Sequence, residues 1–294
     1  MKKSILVYLE LLRVRQWVKN GFILAPVIFS GKLYSVPDLV SVMSVFGIFC
    51  LLSSSVYILN DLNDLAADKI HPNKKRRPLA SGAIKTPEAT SIAMVLLCLS
   101  LILGYPMGRK ILLVILLYLA LHILYSLILK KTVILDVISI ALGFELRVWA
   151  GSLAIAVLPS IWLQLCIFIL AVFLGFIKRR HEKLVLYDKA VEHRGVLVHY
   201  TPYFLDQIIT ISATSSIIFY GLYVLSEDVM KRVSNYHMAY TIPFVIYGIF
   251  RYLYLVHVKK LGGEPGEILT SDFPFVLNML LWVLAVVLIL YRFK

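Results

Sequence analysis

Long apolar runs alternate along the chain with short polar stretches. Nine runs are long enough to cross a bilayer, near 21–36, 38–59, 87–107, 111–129, 133–155, 160–177, 205–225, 238–258 and 273–292. Lipid offers backbone groups no hydrogen-bond partner, so segments of this length must be helices rather than open strands. Aromatic residues stand near several of their ends (Trp17, Tyr34, Trp162, Tyr236 and Tyr291), where interfacial anchors belong. The pattern predicts an all-α protein, a polytopic membrane bundle of about nine helices forming one unit over residues 1–294.

The polar stretches alternate in positive charge. With the N-terminus inside, inner segments carry 21 Lys and Arg and outer segments 7. The positive-inside rule then sets the N-terminus inside and the C-terminus outside a cell membrane. Composition agrees: 60% of residues are hydrophobic and 16% charged, far from the balance of a soluble domain. The net charge of +13 lies in short loops beside apolar runs, where topology and anionic headgroups call for it. No Arg-rich helix with interleaved aromatics appears, which excludes nucleic acid as a partner. Cys50, Cys98 and Cys166 sit singly inside apolar runs and read as buried structural thiols. Glu10, Arg13, Arg15 and Lys19 interrupt the first apolar stretch, so the start reads as an uncleaved amphipathic helix rather than a signal peptide.

Two inner loops, 60–86 and 178–204, are richer in acids, bases and histidine than topology requires. The first opens with Asn60-Asp61-Leu62-Asn63-Asp64-Leu65-Ala66-Ala67-Asp68. As a continuation of the preceding helix, this segment turns about 100° per residue, so Asn60, Asp61, Asp64 and Asp68 share one face. Clustered carboxylates repel unless a cation holds them, and hard oxygen donors suit Mg²⁺. A solvated helix end explains one or two acids there, but four aligned donors at the membrane boundary favour a metal face. Asn60, Asp61, Asp64 and Asp68 are therefore the expected Mg²⁺ ligands, with the three aspartates the catalytic candidates. Lys74, Lys75, Arg76 and Arg77 follow between Pro72 and Pro78. Alone they set topology; next to a metal face they make a phosphate clamp, since arginine pairs bidentately with phosphate oxygens.

The run from Asn60 to Asp68, followed by His71-Pro72-x-Lys74-x-x-Arg77-Pro78-x-Ala80-Ser81-Gly82, resembles the first signature of the UbiA superfamily of intramembrane prenyltransferases. Further segments resemble its decaprenyl-phosphate phosphoribosyltransferase branch: Arg13-x-Arg15-Gln16-Trp17-x-Lys19-Asn20, Gly143-Phe144-Glu145-Leu146-Arg147, Lys178-Arg179-Arg180-His181-Glu182, and Pro243-Phe244 with Gly248 to Tyr252. The resemblance implies nine membrane helices around a cytoplasm-facing polar cavity in which acidic motifs bind Mg²⁺-diphosphate. It further implies transfer of a 5-phosphoribosyl group from phosphoribosyl diphosphate to a polyprenyl phosphate. Lys19, Asn20, Asn60, Lys74, Arg77, Arg147, Lys178, Arg179 and Glu182 are the substrate-binding candidates on this reading.

One departure shapes the expectation. Aromatic-acceptor prenyltransferases usually carry a second Asp-rich motif after the sixth span. Here that loop is basic, with Glu182, Asp188 and Glu192 as its acids. It suits the extra phosphate of a phosphoribosyl donor better than a second metal. Prenyl transfer to an aromatic or other acceptor is the alternative, and the loop's basicity disfavours it. A transporter would spread polarity through mid-membrane helices. Ionisable residues within spans, Asp136, Glu145, Arg147, Asp206 and Arg251, should face partners or a cavity. His122 and His257 read as satisfied structural histidines.

Overall fold

The computed structural model describes residues 4–70, 74–186, 195–233, 236–259, 261 and 272–292. Among them the chain is helical, with no strand. The start is α1 (Ile5–Leu11), a 3-10 segment (Val14–Leu24) and α2 (Ala25–Phe29). Then come α3 (Val36–Asn63), α4 (Leu65–Ile70), α5 (Thr86–Gly104), α6 (Arg109–Leu127), α7 (Leu135–Ala154) and α8 (Ile161–Leu186). The rest is α9 (Pro202–Val224), the short α10 (Glu227–Val233), α11 (Ile242–His257) and α12 (Phe273–Arg292). Eight described helices are long and apolar enough to cross a membrane, and the chain is a multi-pass membrane protein.

The expected span at 21–36 has no single long helix. Its place is taken by the 3-10 segment and α2, which end at Ser30 and Gly31, the latter with φ of 75°. Two local causes are visible. Pro26 lacks a backbone donor, and α7 approaches so closely at Gly151 that a Cβ there would lie 2.0 Å from the Ile23 carbonyl oxygen. The segment is interior all the same, with Ile23 and Val27 fully buried.

Two large apolar clusters fill the bundle. One joins Phe29 to residues of α7, α8, α9, α11 and α12; the other joins Ile23 and Val27 to α3, α6 and α7. Helix α7 contributes Val137, Ala141, Phe144 and Val148 to the first and Ala150 to the second. A smaller cluster of Leu11, Ile58, Leu79, Ile84, Ala89 and Ala93 closes the end where α3 emerges. Helix α3 is fastened by three successive serines. Ser53 accepts from Asn20, Ser54 accepts from the Trp17 indole and donates to the Leu12 carbonyl, and Ser55 donates to the Ala93 carbonyl on α5. Consecutive residues point about 100° apart, so each serine serves a different neighbour. Among the three cysteines only Cys50 is buried, while Cys98 lies exposed on α5, facing outward rather than inward as expected.

Candidate active site

The α3 helix ends at Asn63. Asp64 leaves helical geometry (φ −96°, ψ 7°) yet its N–H still donates to the Asn60 carbonyl, and the Asp68 N–H to that of Asp64. The pitch is thus roughly kept into α4, and the four oxygen donors remain together as two pairs. Asp61 and Asp68 are buried, at 6% and 3% exposure. One atom, Arg77 Nη1, donates to Asp61 Oδ1 at 2.9 Å and to Asp68 Oδ2 at 2.6 Å. Arg13 also donates to Asp61, and Lys74 Nζ is 4.0 Å from Asp68. Asn60 and Asp64 turn toward α6 and the turn after it: Ser126 donates to the Asn60 side chain and Lys130 Nζ lies 2.6 Å from Asp64. The single expected face is therefore divided by its cations. Among the described residues no three carboxylates, histidines or cysteines converge on one point.

The donor chemistry still fits a divalent cation. Two carboxylate oxygens already share one positively charged nitrogen, the electrostatic situation that a hard cation favours. Asp64 is 44% exposed and paired with Lys130, one helical turn from Asp61 and from Asp68 along the chain.

The basic loop is held over these carboxylates by its own apolar residues. Leu79 and Ile84 are buried against Leu11 and Ile58, and the Ile84 N–H donates to the Pro78 carbonyl at 3.0 Å. Gly82, with φ of 77°, makes the turn between them, a backbone state that costs glycine least. Lys75 and Arg76 face outward, and His71, Pro72 and Asn73 lie outside the described residues.

The second rich loop meets the first. Lys74 lies in the field of Arg77, Glu182, Asp68 and Lys178. Burial, aided by the Arg77 charge, draws its ammonium below the ordinary lysine range, against the pull of Glu182 and Asp68. Lys74, Arg77, Lys178, Glu182 and the carboxylates thus share one end of the bundle. Arg179 does not present its charge there. It is 1% exposed, donating to Asp136 Oδ2 at 2.6 Å and Glu182 at 2.7 Å, while the Tyr200 hydroxyl donates to the other Asp136 oxygen at 2.6 Å. Arg179, an expected substrate contact, is held in a buried ion pair with Asp136 and orients Glu182. Arg180 pairs with Asp206 at 2.5 Å. Asp188 and Glu192 lie outside the described residues.

Asn20 and Arg147 do come together, but in the bundle interior. Arg147 is 3% exposed and donates to the Asn20 side chain at 2.8 Å, the Gly143 carbonyl at 2.8 Å and the Tyr118 hydroxyl at 2.6 Å. These three neutral acceptors fix the orientation of its guanidinium, an expected phosphate contact, within the bundle interior. Beside it, neither His122 nitrogen has a hydrogen-bond partner among the described residues, contrary to the satisfied histidine expected. Lys19 Nζ donates to Gln16 at 3.1 Å. Arg251 forms a two-point pair with Asp272 at 3.1 and 2.8 Å, a structural tie between α11 and the start of α12. A cleft of about 180 Å³ between α3 and α6 runs from Asn60 along Val56, Leu59 and Leu119 to His122.

Sequence reasoning passed over Arg13, Lys130, Ser126 and Tyr57. Arg13 carried a signal within its motif, and its left-handed backbone (φ 51°) marks it again. Its guanidinium stacks 5.3 Å from the Tyr57 ring centroid while reaching Asp61.

Residues 23–263 match the UbiA prenyltransferase family. The decaprenyl-phosphate phosphoribosyltransferase of Mycolicibacterium smegmatis is 31% identical, the match covering 94% of this chain and 89% of that protein. Its counterpart in Corynebacterium glutamicum is also 31% identical, over 96% and 86%. A UbiA homolog from Archaeoglobus fulgidus, solved bound to GPP and Mg²⁺, superposes with a TM-score of 0.70 at 21% identity, covering 97% of this chain and 99% of that one. That likeness is one of fold, and the sequence match carries the kinship: this chain belongs to the UbiA prenyltransferase family.

Proposed function

We propose that the chain transfers a 5-phosphoribosyl group from phosphoribosyl diphosphate to a polyprenyl phosphate, releasing diphosphate, at the cytoplasmic face of a cell membrane. The observation that supports this reading is the placement of Lys74 and Arg77 on Asp61 and Asp68, with Lys178 and Glu182 within electrostatic reach of Lys74. A prenyl diphosphate presents one phosphate cluster. Phosphoribosyl diphosphate presents two, at opposite ends of a ribose, and two basic loops answer that shape. The two relatives named above carry the matching activity in their names.

Mg²⁺, held by Asn60, Asp61, Asp64 and Asp68, would neutralise the leaving diphosphate. Arg77 and Lys74 bind the diphosphate oxygens beside it, and Lys178 takes the 5-phosphate. Glu182, fixed by Arg179, accepts hydrogen bonds from the ribose hydroxyls. The acceptor is a phosphate monoester, already an anion at neutral pH, so no general base is required. Catalysis is then mainly positioning and charge stabilisation. The N-terminus and both rich loops lie on the cytoplasmic side, as the charge bias directs.

Purified protein with radiolabelled phosphoribosyl diphosphate, Mg²⁺ and decaprenyl phosphate should yield a labelled lipid. If the protein ignores that donor and instead moves a prenyl chain from a prenyl diphosphate to an aromatic acceptor, the proposal fails and prenyl transfer takes its place.

A further inference from the structure

We infer that Tyr57 contacts the phosphate of the lipid acceptor, its hydroxyl donating a hydrogen bond to a phosphate oxygen. The inference rests on the phosphoribosyl-transfer reading and adds to it the residue that receives the second substrate.

Tyr57 lies on α3 four residues before Asp61, so the two side chains share a face, with Tyr57 about one turn deeper in the bundle. The charges of Lys19, Arg147, Arg13 and Lys178 lie within electrostatic reach of Tyr57. They come from three separate parts of the chain, the opening segment, α7 and α8. Arg13 also covers the ring face at 5.3 Å. Tyr57 is half-buried, less enclosed than the fully buried Tyr118 and Tyr200. Three interior tyrosines have their hydroxyls engaged by neighbouring side chains. The Tyr118 hydroxyl accepts from Arg147, Tyr200 donates to Asp136, and Tyr220 is engaged by Thr241 and Trp282. A phenol set among cations is complementary to an anionic oxygen, because it supplies a donor where the surrounding charge gathers the anion.

Depth selects which anion. The carboxylates, Arg77 and Lys74 stand at the polar end of the bundle, where a water-soluble donor enters. Tyr57 stands on the bilayer side of them, where a phosphate tethered to a membrane lipid arrives. The competing role is mechanical: the ring serves as a platform that steers Arg13 onto Asp61. Phenylalanine would fill that role equally well, so the hydroxyl separates the two.

The test compares wild type, Tyr57→Phe and Tyr57→Leu in detergent, varying decaprenyl phosphate at saturating phosphoribosyl diphosphate and then the reverse. Tyr57→Phe should raise the KM for the lipid phosphate roughly tenfold, the effect of losing one charge-assisted hydrogen bond. Its KM for phosphoribosyl diphosphate and its melting temperature should match wild type. Thermal stabilisation by decaprenyl phosphate alone should weaken in parallel. If Tyr57→Phe behaves as wild type and only Tyr57→Leu is impaired, the ring is a platform and the inference is overturned. Equal increases in both KM values overturn it as well. A wild type that turns over neither substrate is a separate result, sinking the phosphoribosyl reading before any variant is compared.

Discussion

Asp64 is the carboxylate least committed to the protein, 44% exposed with Lys130 at 2.6 Å, whereas Asp61 and Asp68 share Arg77. Asp64→Asn should therefore leave the melting temperature unchanged and lower turnover by about a hundredfold or more, because it removes charge from the metal site and little from the fold. Chelation should abolish turnover, with Mg²⁺ restoring it; full activity in chelator would exclude the metal. Lys178 and Arg179 are neighbours with opposite consequences. Lys178→Ala should raise the KM for phosphoribosyl diphosphate roughly tenfold without changing stability, the loss expected for one charge-assisted contact. Arg179→Ala strands Asp136, which is fully buried, and should cost about 3–5 kcal/mol of stability, read as a lowered melting temperature. An Arg179→Ala protein that melts normally but binds the donor weakly would reverse this assignment. The sequence made the membership of the site legible, since the acids and bases had to lie near one another. It did not make the pairing legible. Which cation neutralises which carboxylate depends on side chains from distant segments, such as Arg13 for Asp61 and Lys130 for Asp64.

At the level of elements, eight expected spans appear as long helices because lipid leaves a backbone no other choice. The stretch 21–36 differs because it is packed inside protein, where tertiary contacts override hydropathy. Its register depends on α7 at Gly151, where any side chain meets the Ile23 carbonyl. Gly151→Ala should lower the melting temperature and reduce activity together, since the same segment carries Arg13 and Lys19. Gly47→Ala offers the contrast within a helix. Nothing stands within 4 Å of a Cβ there, so it should be neutral or stabilise by about 0.5–1 kcal/mol. If both variants melt alike, the close approach does not matter. The hydropathy pattern carried no sign of this contact, whereas the serines of α3 were visible in the sequence without revealing that each addresses a different neighbour.

For the whole molecule, the charge bias predicted both rich loops on one side, and Lys74 meeting Glu182 and Lys178 sets them at one end of the bundle. Which side of the membrane that end occupies is open to a direct experiment. In a protein lacking Cys50, Cys98 and Cys166, single cysteines at Lys75 and His199 should resist an impermeant thiol reagent in intact cells, and one at Lys231 should react. Labelling at Lys75 would invert the orientation. The packing divides the bundle at α7, which lies in both large cores. That sharing has a bearing on biogenesis. While the ribosome has delivered only the first 134 residues, the opening segment and α6 lack α7, against which each packs extensively. They wait in the membrane as inserted but unassembled helices. The arrival of α7 lets the early helices close and, in the same event, offers the later ones a finished wall on which to assemble. The fifth apolar run therefore sets the moment at which a set of inserted helices becomes a folding protein, and defects along it should appear as chains cleared by quality control before any loss of catalysis can be measured.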